Sequence, residues 1–219
     1  MTAREAVLCA VRAALGRPQP DAAAIAAAAQ ALLADPDAIR PALSCPDLAD
    51  AFAAAVTSSK VGATLDRIGW LSALPVATAR YLAGHGLGRE LALQPDPELR
   101  ALDWSAFTLI DALRPDEAAG LGVAKWGIAE TGSLVFHSGP DTAVLAHFLP
   151  LHHIAVLRTR CILPHLEDYA ARAGVPPRNL NLITGASGTT DIEGSYVRGA
   201  HGPRFLHVIL VNERTSSEG

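Results

Sequence analysis

Aromatic residues are scarce in this sequence, at 5% of 219 residues, although half of the chain is hydrophobic. Its core must therefore be built mainly from Leu, Val, Ile and Ala. Cysteine is scarcer still: Cys9, Cys45 and Cys161 lie far apart, and no CxxC spacing exists. That excludes the usual cysteine set of an iron–sulfur cluster or a zinc site in this chain, and it fits cytosolic thiols rather than a disulfide framework. No apolar run reaches the ~18 residues that would span a bilayer. With 18 Lys and Arg against 22 Asp and Glu, a net charge of −4 and no basic cluster, a nucleic-acid partner is disfavoured. The lysine of a P-loop, the glycine spacing of a dinucleotide fingerprint and a G-x-S-x-G elbow are also missing. The opening Met1-Thr-Ala-Arg-Glu5 lacks the apolar stretch of a secretory signal, so the expected compartment is the cytoplasm.

What is present divides by periodicity. Thr2 and Glu5 have capping-box spacing ahead of Val7, Leu8, Val11 and Leu15, and Gly16 and Pro18 end that helix. Asp21 caps an Ala-rich helix through Leu33. Pro36, Pro41 and Pro46 mark a loop, and Asp47 opens a third helix with Leu48, Phe52 and Val56 on one face. After Gly62, short apolar runs alternate with helical segments. Strands are expected at Ala63–Ile68, Glu90–Leu93, Phe107–Ile110, His153–Leu157, Asn181–Thr184 and Phe205–Val211. Helices are expected at Trp70–Leu82, Ala143–Phe148 and Leu163–Ala173, with an extended hairpin over Leu121–Val135. The alternation predicts an α/β class domain, a sheet with helices on both faces. The expected organisation is a helical segment over 1–60, an α/β domain over 61–213 and a frayed tail over 214–219.

Four motifs could carry chemistry. In Lys125-Trp-Gly-Ile-Ala-Glu130-Thr131-Gly132-Ser133, two glycines flank a carboxylate and a hydroxyl, which reads as a site-bearing turn or as an ordinary hairpin with Glu130 in solvent. In Pro150-Leu-His152-His153-Ile154, adjacent histidines at a strand start point to opposite faces; they are poor joint ligands for one metal, but one can face a cleft. Thr184-Gly185-Ala-Ser187-Gly-Thr189-Thr190-Asp191-Ile-Glu193 reads as a strand end, a loop and a helix start. Its amides and the helix dipole would suit a carboxylate or phosphate, although a plain Thr190/Glu193 capping box explains the same pattern. Gly199-Ala-His201-Gly202-Pro203 makes a tight turn with a histidine at its crown. No spacing supports a metal site.

In their order and spacing, these four motifs resemble the LUD-domain family, and within it the lactate utilization protein C branch. The resemblance is firm from Val123 to Val211. It implies a three-layer αβα fold with a mixed, mostly parallel sheet, similar to the NagB/RpiA/CoA-transferase group. It also implies a cofactor-free subunit that acts in L-lactate oxidation to pyruvate beside partner subunits carrying iron–sulfur clusters. On that resemblance, Glu130 and His201 are the candidates for handling protons. Thr131, His153, Thr184, Gly185, Ser187, Thr189, Asp191 and Glu193 are the candidates for holding a small carboxylate or phosphate. The family's loop commonly reads Gly-Pro-Ser-Arg-Thr-Ala-Asp-Ile-Glu; here Ala186 stands for the proline and Gly188 for the arginine, so if that arginine binds the substrate carboxylate or an acid of a partner, this chain lacks the contact. The competing reading is an independent binding protein or transferase- or isomerase-like enzyme for a small anion, sugar phosphate or CoA ester, in which Glu130 would be a nucleophile.

Overall fold

The computed structural model describes residues 2–16, 21–35, 40–110, 117–190 and 192–213. Contacts divide the chain into Met1–Pro41 and Ala42–Gly219. The first unit holds α1 (Ala3–Leu15) and α2 (Ala22–Ala34). The expected capping box forms: Glu5 N–H donates to Thr2 Oγ1, and Thr2 N–H donates to Glu5 Oε2 at 2.6 Å. Gly16 closes α1 at φ +59°. Neither helix contains a buried residue.

The third helix, α3 (Leu48–Val56), belongs to the second unit rather than to a helical segment ending near residue 60. Phe52 and Val56 are completely buried there, so its apolar face is part of the α/β core. The expected tail at 214–219 lies outside the described residues.

The second unit is built on a six-stranded sheet of β1 (Thr64–Ile68), β2 (Glu90–Leu93), β3 (Thr108–Ile110), β4 (Ala119–Val123), β7 (His152–Arg158) and β12 (Phe205–Val211), in the order β1-β12-β7-β4-β2-β3. Every pairing in it is parallel. β7 and β12 are almost wholly buried, which explains their continuous apolar runs. On one face pack a 3-10 turn (Leu71–Ala73), α4 (Leu74–Gly84) and α5 (Pro97–Arg100), sealing a core of Leu74, Leu82, Leu91, Ile154 and Ile209. The opposite face is covered by α3 and by a second, mixed sheet in the order β8-β5-β6-β9. Its strands are β5 (Trp126–Ile128), β6 (Ser133–His137), β8 (Ile162–Leu163) and β9 (Leu180–Ile183). α6 (Leu166–Arg172) packs beyond it through Tyr169. All the antiparallel pairing of the two larger sheets is thus confined to the smaller one.

One expected element is replaced. The residues after Ser187 form no helix start but a hairpin, β10 (Gly188–Thr190) with β11 (Tyr196–Arg198), turning through Gly194 at φ +83°. The Thr190/Glu193 capping box is overturned, because Thr190 lies in a strand opposite Tyr196. Thr189, Thr190, Tyr196 and Val197 are good strand formers, and cross-strand pairing decides the local structure.

Candidate functional site

Two glycines in β4 set the geometry of the site. A Cβ at Gly120 would meet Pro150 Cγ at 2.5 Å; one at Gly122 would meet Gln94 Oε1 at 3.0 Å and His147 Cε1 at 3.3 Å. Their bare backbone lets the 3-10 turn Val144–His147 lie directly on the sheet. His147 is thereby brought beside His153 of β7, with its Nδ1 3.4 Å from His153 Nε2. The rings of both stand near that of buried Phe136, at centroid distances of 4.1 and 5.3 Å. Each histidine is 1% exposed, and neither His147 Nε2 nor His153 Nδ1 has a hydrogen-bond partner. Burial drives both imidazoles towards the neutral form, lowering His147 to about 4 and, with the neighbouring His147 adding to the effect, His153 to about 3.

These two residues belong to the lining of a cleft of about 240 Å³, whose wall also includes Thr184, Gly185, Ser187 and His201. The loops that carry the last four are tied together by backbone bonds: Ser187 N–H donates to Pro203 O, and Gly199 N–H donates to Ser187 O, both at 2.8 Å. Gly202 rests against Ser187. Ser187 Oγ and the His201 ring have no partner among the described residues. The cleft therefore combines a neutral, buried histidine pair with a more open hydroxyl and imidazole.

Its position differs from the one that strand order suggests. A loop at the carboxyl end of a strand in an open parallel sheet is a common ligand site, but β9 runs antiparallel to β6 in the smaller sheet. The loop after it consequently lies over Leu206 and His153, near the amino ends of β12 and β7. With no helix behind it and the Ser187 amide already bonded to Pro203, the loop is not an anion-binding helix terminus. Gly185, at φ +87°, serves close approach to the Val61 backbone. At Gly188 the Tyr196 ring fills the space that a side chain would need.

His153, Thr184, Gly185, Ser187 and His201 come together as expected candidates. Thr131 sits one step away, in a hydroxyl chain running Thr131 Oγ1–Ser133 Oγ–Thr184 Oγ1 at 2.7 and 2.5 Å. Thr189 and Glu193 are exposed on the hairpin, and Asp191 lies outside the described residues. Glu130 lines a separate depression with Leu43 and Ala55, and it accepts a hydrogen bond from Leu166 N–H at 3.0 Å at the start of α6. The structure thus does not bring Glu130 and His201 together. Replacing Glu130 by Ala should cost about 1 kcal/mol of stability, the value of a helix cap, and lower the Tm by roughly 2–4 °C in a scanning calorimeter. Ligand affinity in the cleft should stay unchanged.

The adjacent histidines point to opposite faces, and both are buried. On the far face His152 Nδ1 pairs with Tyr81 Oη at 2.9 Å, and His207 Nδ1 pairs with Thr64 Oγ1 at 2.8 Å. Burial lowers each histidine to about 4, with His85 adding to the effect on His152 and Asp66 opposing it at His207. Burial raises Tyr81 to about 12 against the opposing charge of Arg198. Sequence reasoning missed His147, which appears as one of several scattered histidines. The signal that could have found it is Gly120-Leu-Gly122, a strand opened for close approach.

The family model for the LUD domain matches residues 116–211. Lactate utilization protein C of Geobacillus kaustophilus is 35% identical over 107 residues, covering 45% of this chain and 45% of that protein. The protein of the same name from Geobacillus sp. strain WCH70 is 34% identical over 140 residues, covering 59% and 58%. The uncharacterized protein YkgG of Escherichia coli K12 is 33% identical over 123 residues, covering 52% and 53%. The chain spans about half the length of the curated relatives it matches. Among solved structures, a DUF162 family protein from Deinococcus radiodurans superposes with a TM-score of 0.53 at 23% identity, over 78% of this chain and 99% of that one, which supports the same fold.

Proposed function

From a chain that carries a LUD domain over residues 116–211, we propose a role in lactate utilization, with the cleft as the binding site for L-lactate. The observation that carries this reading is a cleft lined by the buried His147 and His153 and by Ser187 and His201, whose polar side chains are more open. About 240 Å³ is ample for a three-carbon acid, since a cavity of roughly 150 Å³ holds benzene. Ser187 Oγ–H and a His201 ring N–H donate to the carboxylate at the open side. The 2-hydroxyl goes inward to the His147/His153 pair.

Oxidation of the alcohol needs an electron acceptor, and we assign that part to partner subunits carrying iron–sulfur clusters. This chain is then a cofactor-free, cytoplasmic component of an L-lactate-oxidising complex. The names of the relatives and the lack of clustered cysteines in the sequence support that assignment. No helix among the described residues is long and apolar enough to cross a membrane.

Calorimetric titration with L-lactate tests the site. His201→Ala and Ser187→Ala should each weaken binding about tenfold, the worth of one charge-assisted hydrogen bond. Thr189→Ala and Glu193→Ala, on the exposed hairpin, should leave it unchanged. Loss spread equally over all four, or no binding by the unaltered protein, sinks the assignment. Pull-down of the tagged protein with an assay for iron and lactate-dependent dye reduction tests the complex.

A further inference from the structure

The site that strand order does suggest lies at the other end of the main sheet. In an open parallel sheet, ligands gather outside the carboxyl ends of the strands, where neighbouring strands send their loops to opposite faces. β2 and β4 are such neighbours. The loop after β2 leads to α5, whose Leu99 joins the core beneath α4. The loops after β4 and β7 turn the other way, into the smaller sheet at β5 and β8. Residues of both sets line one crevice of about 270 Å³. Its lining includes Val123 and Val156, which pair in register near the carboxyl ends of β4 and β7.

The divergence of the loops also sorts the charges. Asp96 and Glu98 come from the loop and helix on one side, Lys125 and Arg160 from the turns on the other. Arg158, at the end of β7, ties Glu98 to Glu213, and Arg160 shares Glu213 with it. Two charged groups are left over. Asp96 Oδ1 accepts from the amides of Glu98 and Leu99, at 2.9 and 3.1 Å, and its Oδ2 has no partner among the described residues. The Lys125 side chain makes no ion pair or hydrogen bond among them. Asp96 and Lys125 thus line one crevice with opposite charges and do not pair with each other.

We propose that this crevice is a second binding site, separate from the cleft, for a small zwitterion: an α-amino acid with a short apolar side chain. Its ammonium pairs with Asp96 and its carboxylate with Lys125, with Arg160 on the same side. The side chain lies against the half-buried Leu71 and Val123. A simple anion leaves Asp96 unmatched and a simple amine leaves Lys125 unmatched, so only a ligand with both charges answers both walls. The volume suits a small metabolite rather than a dinucleotide, since pockets for larger ligands run to roughly 300–1,000 Å³.

Calorimetric titration of the full chain with L-valine tests the proposal, beside isovalerate, which lacks the ammonium, and isobutylamine, which lacks the carboxylate. L-Valine should bind, and each analogue should bind about tenfold more weakly or worse, the loss of one charge-assisted contact. Asp96→Asn removes the charge but keeps the cap of α5, because Asn caps a helix as well as Asp does. It should weaken L-valine about tenfold, as should Lys125→Gln. Both variants should bind L-lactate as the unaltered protein does. Ser187→Ala, in the cleft, should leave L-valine binding unchanged. No binding of L-valine by the unaltered protein overturns the proposal, and so does an analogue that binds as tightly as L-valine, or affinity indifferent to both crevice substitutions. A loss in Ser187→Ala equal to that in Lys125→Gln places the amino acid in the cleft and overturns it too.

Discussion

Acidification from pH 7 to pH 5 should strip this protein of most of its stability, well above the pH at which ordinary carboxylates become protonated. Four buried histidines are the cause. In the folded state burial lowers His147, His152 and His207 to about 4 and His153 to about 3, whereas in the unfolded chain each titrates near 6.5. Above about pH 6.5 the rings are neutral in both states, and their burial carries no protonation penalty. Below it the unfolded chain takes up protons that the folded chain refuses, so stability falls with pH until the folded values are reached. Each group costs about 1.4 kcal/mol per pH unit in that window. Four together cost about 5 kcal/mol between pH 6 and pH 5, the lower end of the whole stability of a typical domain. Melting curves across pH 7.5 to 4.5 should show a flat Tm above about pH 6.5 and a steep fall below it. His207→Phe, which removes one titrating imidazole from the far face of the sheet, should move the fall to lower pH. A Tm that stays level down to pH 5 would mean that the rings are hydrated and protonated in the folded protein.

The elements that were legible in the sequence are those whose cause is local. The Thr2/Glu5 box and Gly16 place α1 through neighbouring residues alone, and β2 and β12 occupy the residues that their apolar runs mark. The misread hairpin has the opposite origin. Ser/Thr-x-x-Glu is a cap only if a helix follows, and β-branched residues on either side of Gly194 pair across the turn instead. The motifs supply His153, Thr184, Gly185, Ser187 and His201 to the wall of one cleft, yet their spacing does not give its geometry. That depends on β9 pairing with β6 across 40-odd residues of chain, a long-range choice with no local signature. His147 was invisible for the same reason, since its partner lies across a turn that only two glycines in a different strand make possible. Glu130 shows the converse: a carboxylate between glycines looks catalytic in sequence, and in space it accepts the first amide of α6.

Replacing Gly132 by Ala should lower the Tm by about 10 °C. Gly132 ends the turn between β5 and β6 at φ +68° and donates its N–H to Ile128 O at 2.9 Å. A left-handed backbone costs a non-glycine residue roughly 1–2 kcal/mol on its own. The new Cβ would also stand 2.6 Å from Val56 N, 2.7 Å from Val56 Cα and 2.9 Å from Ala55 C. All three are backbone atoms at the end of α3, so no side-chain rotation relieves the contact. Either the helix shifts, opening the packing around buried Phe52 and Val56, or the turn does. Overpacking of this kind costs about 1–3 kcal/mol, and with the backbone term the total is roughly 4 kcal/mol, or about 8–16 °C for a chain of this size. Gly174→Ala supplies the control: at φ +61° it carries the same backbone strain, but nothing lies within 4 Å of its Cβ, so its Tm should fall by only a few degrees. The difference between the two variants isolates the close approach of α3. Gly132 also adjoins Ser133, the middle hydroxyl of the chain that leads to Thr184 in the cleft. Gly132→Ala should therefore weaken L-lactate binding even at temperatures where the protein stays folded, whereas Gly174→Ala should not. Equal losses of stability in the two variants would show that α3 yields freely, and that the turn rather than its contact with the helix holds the smaller sheet in register.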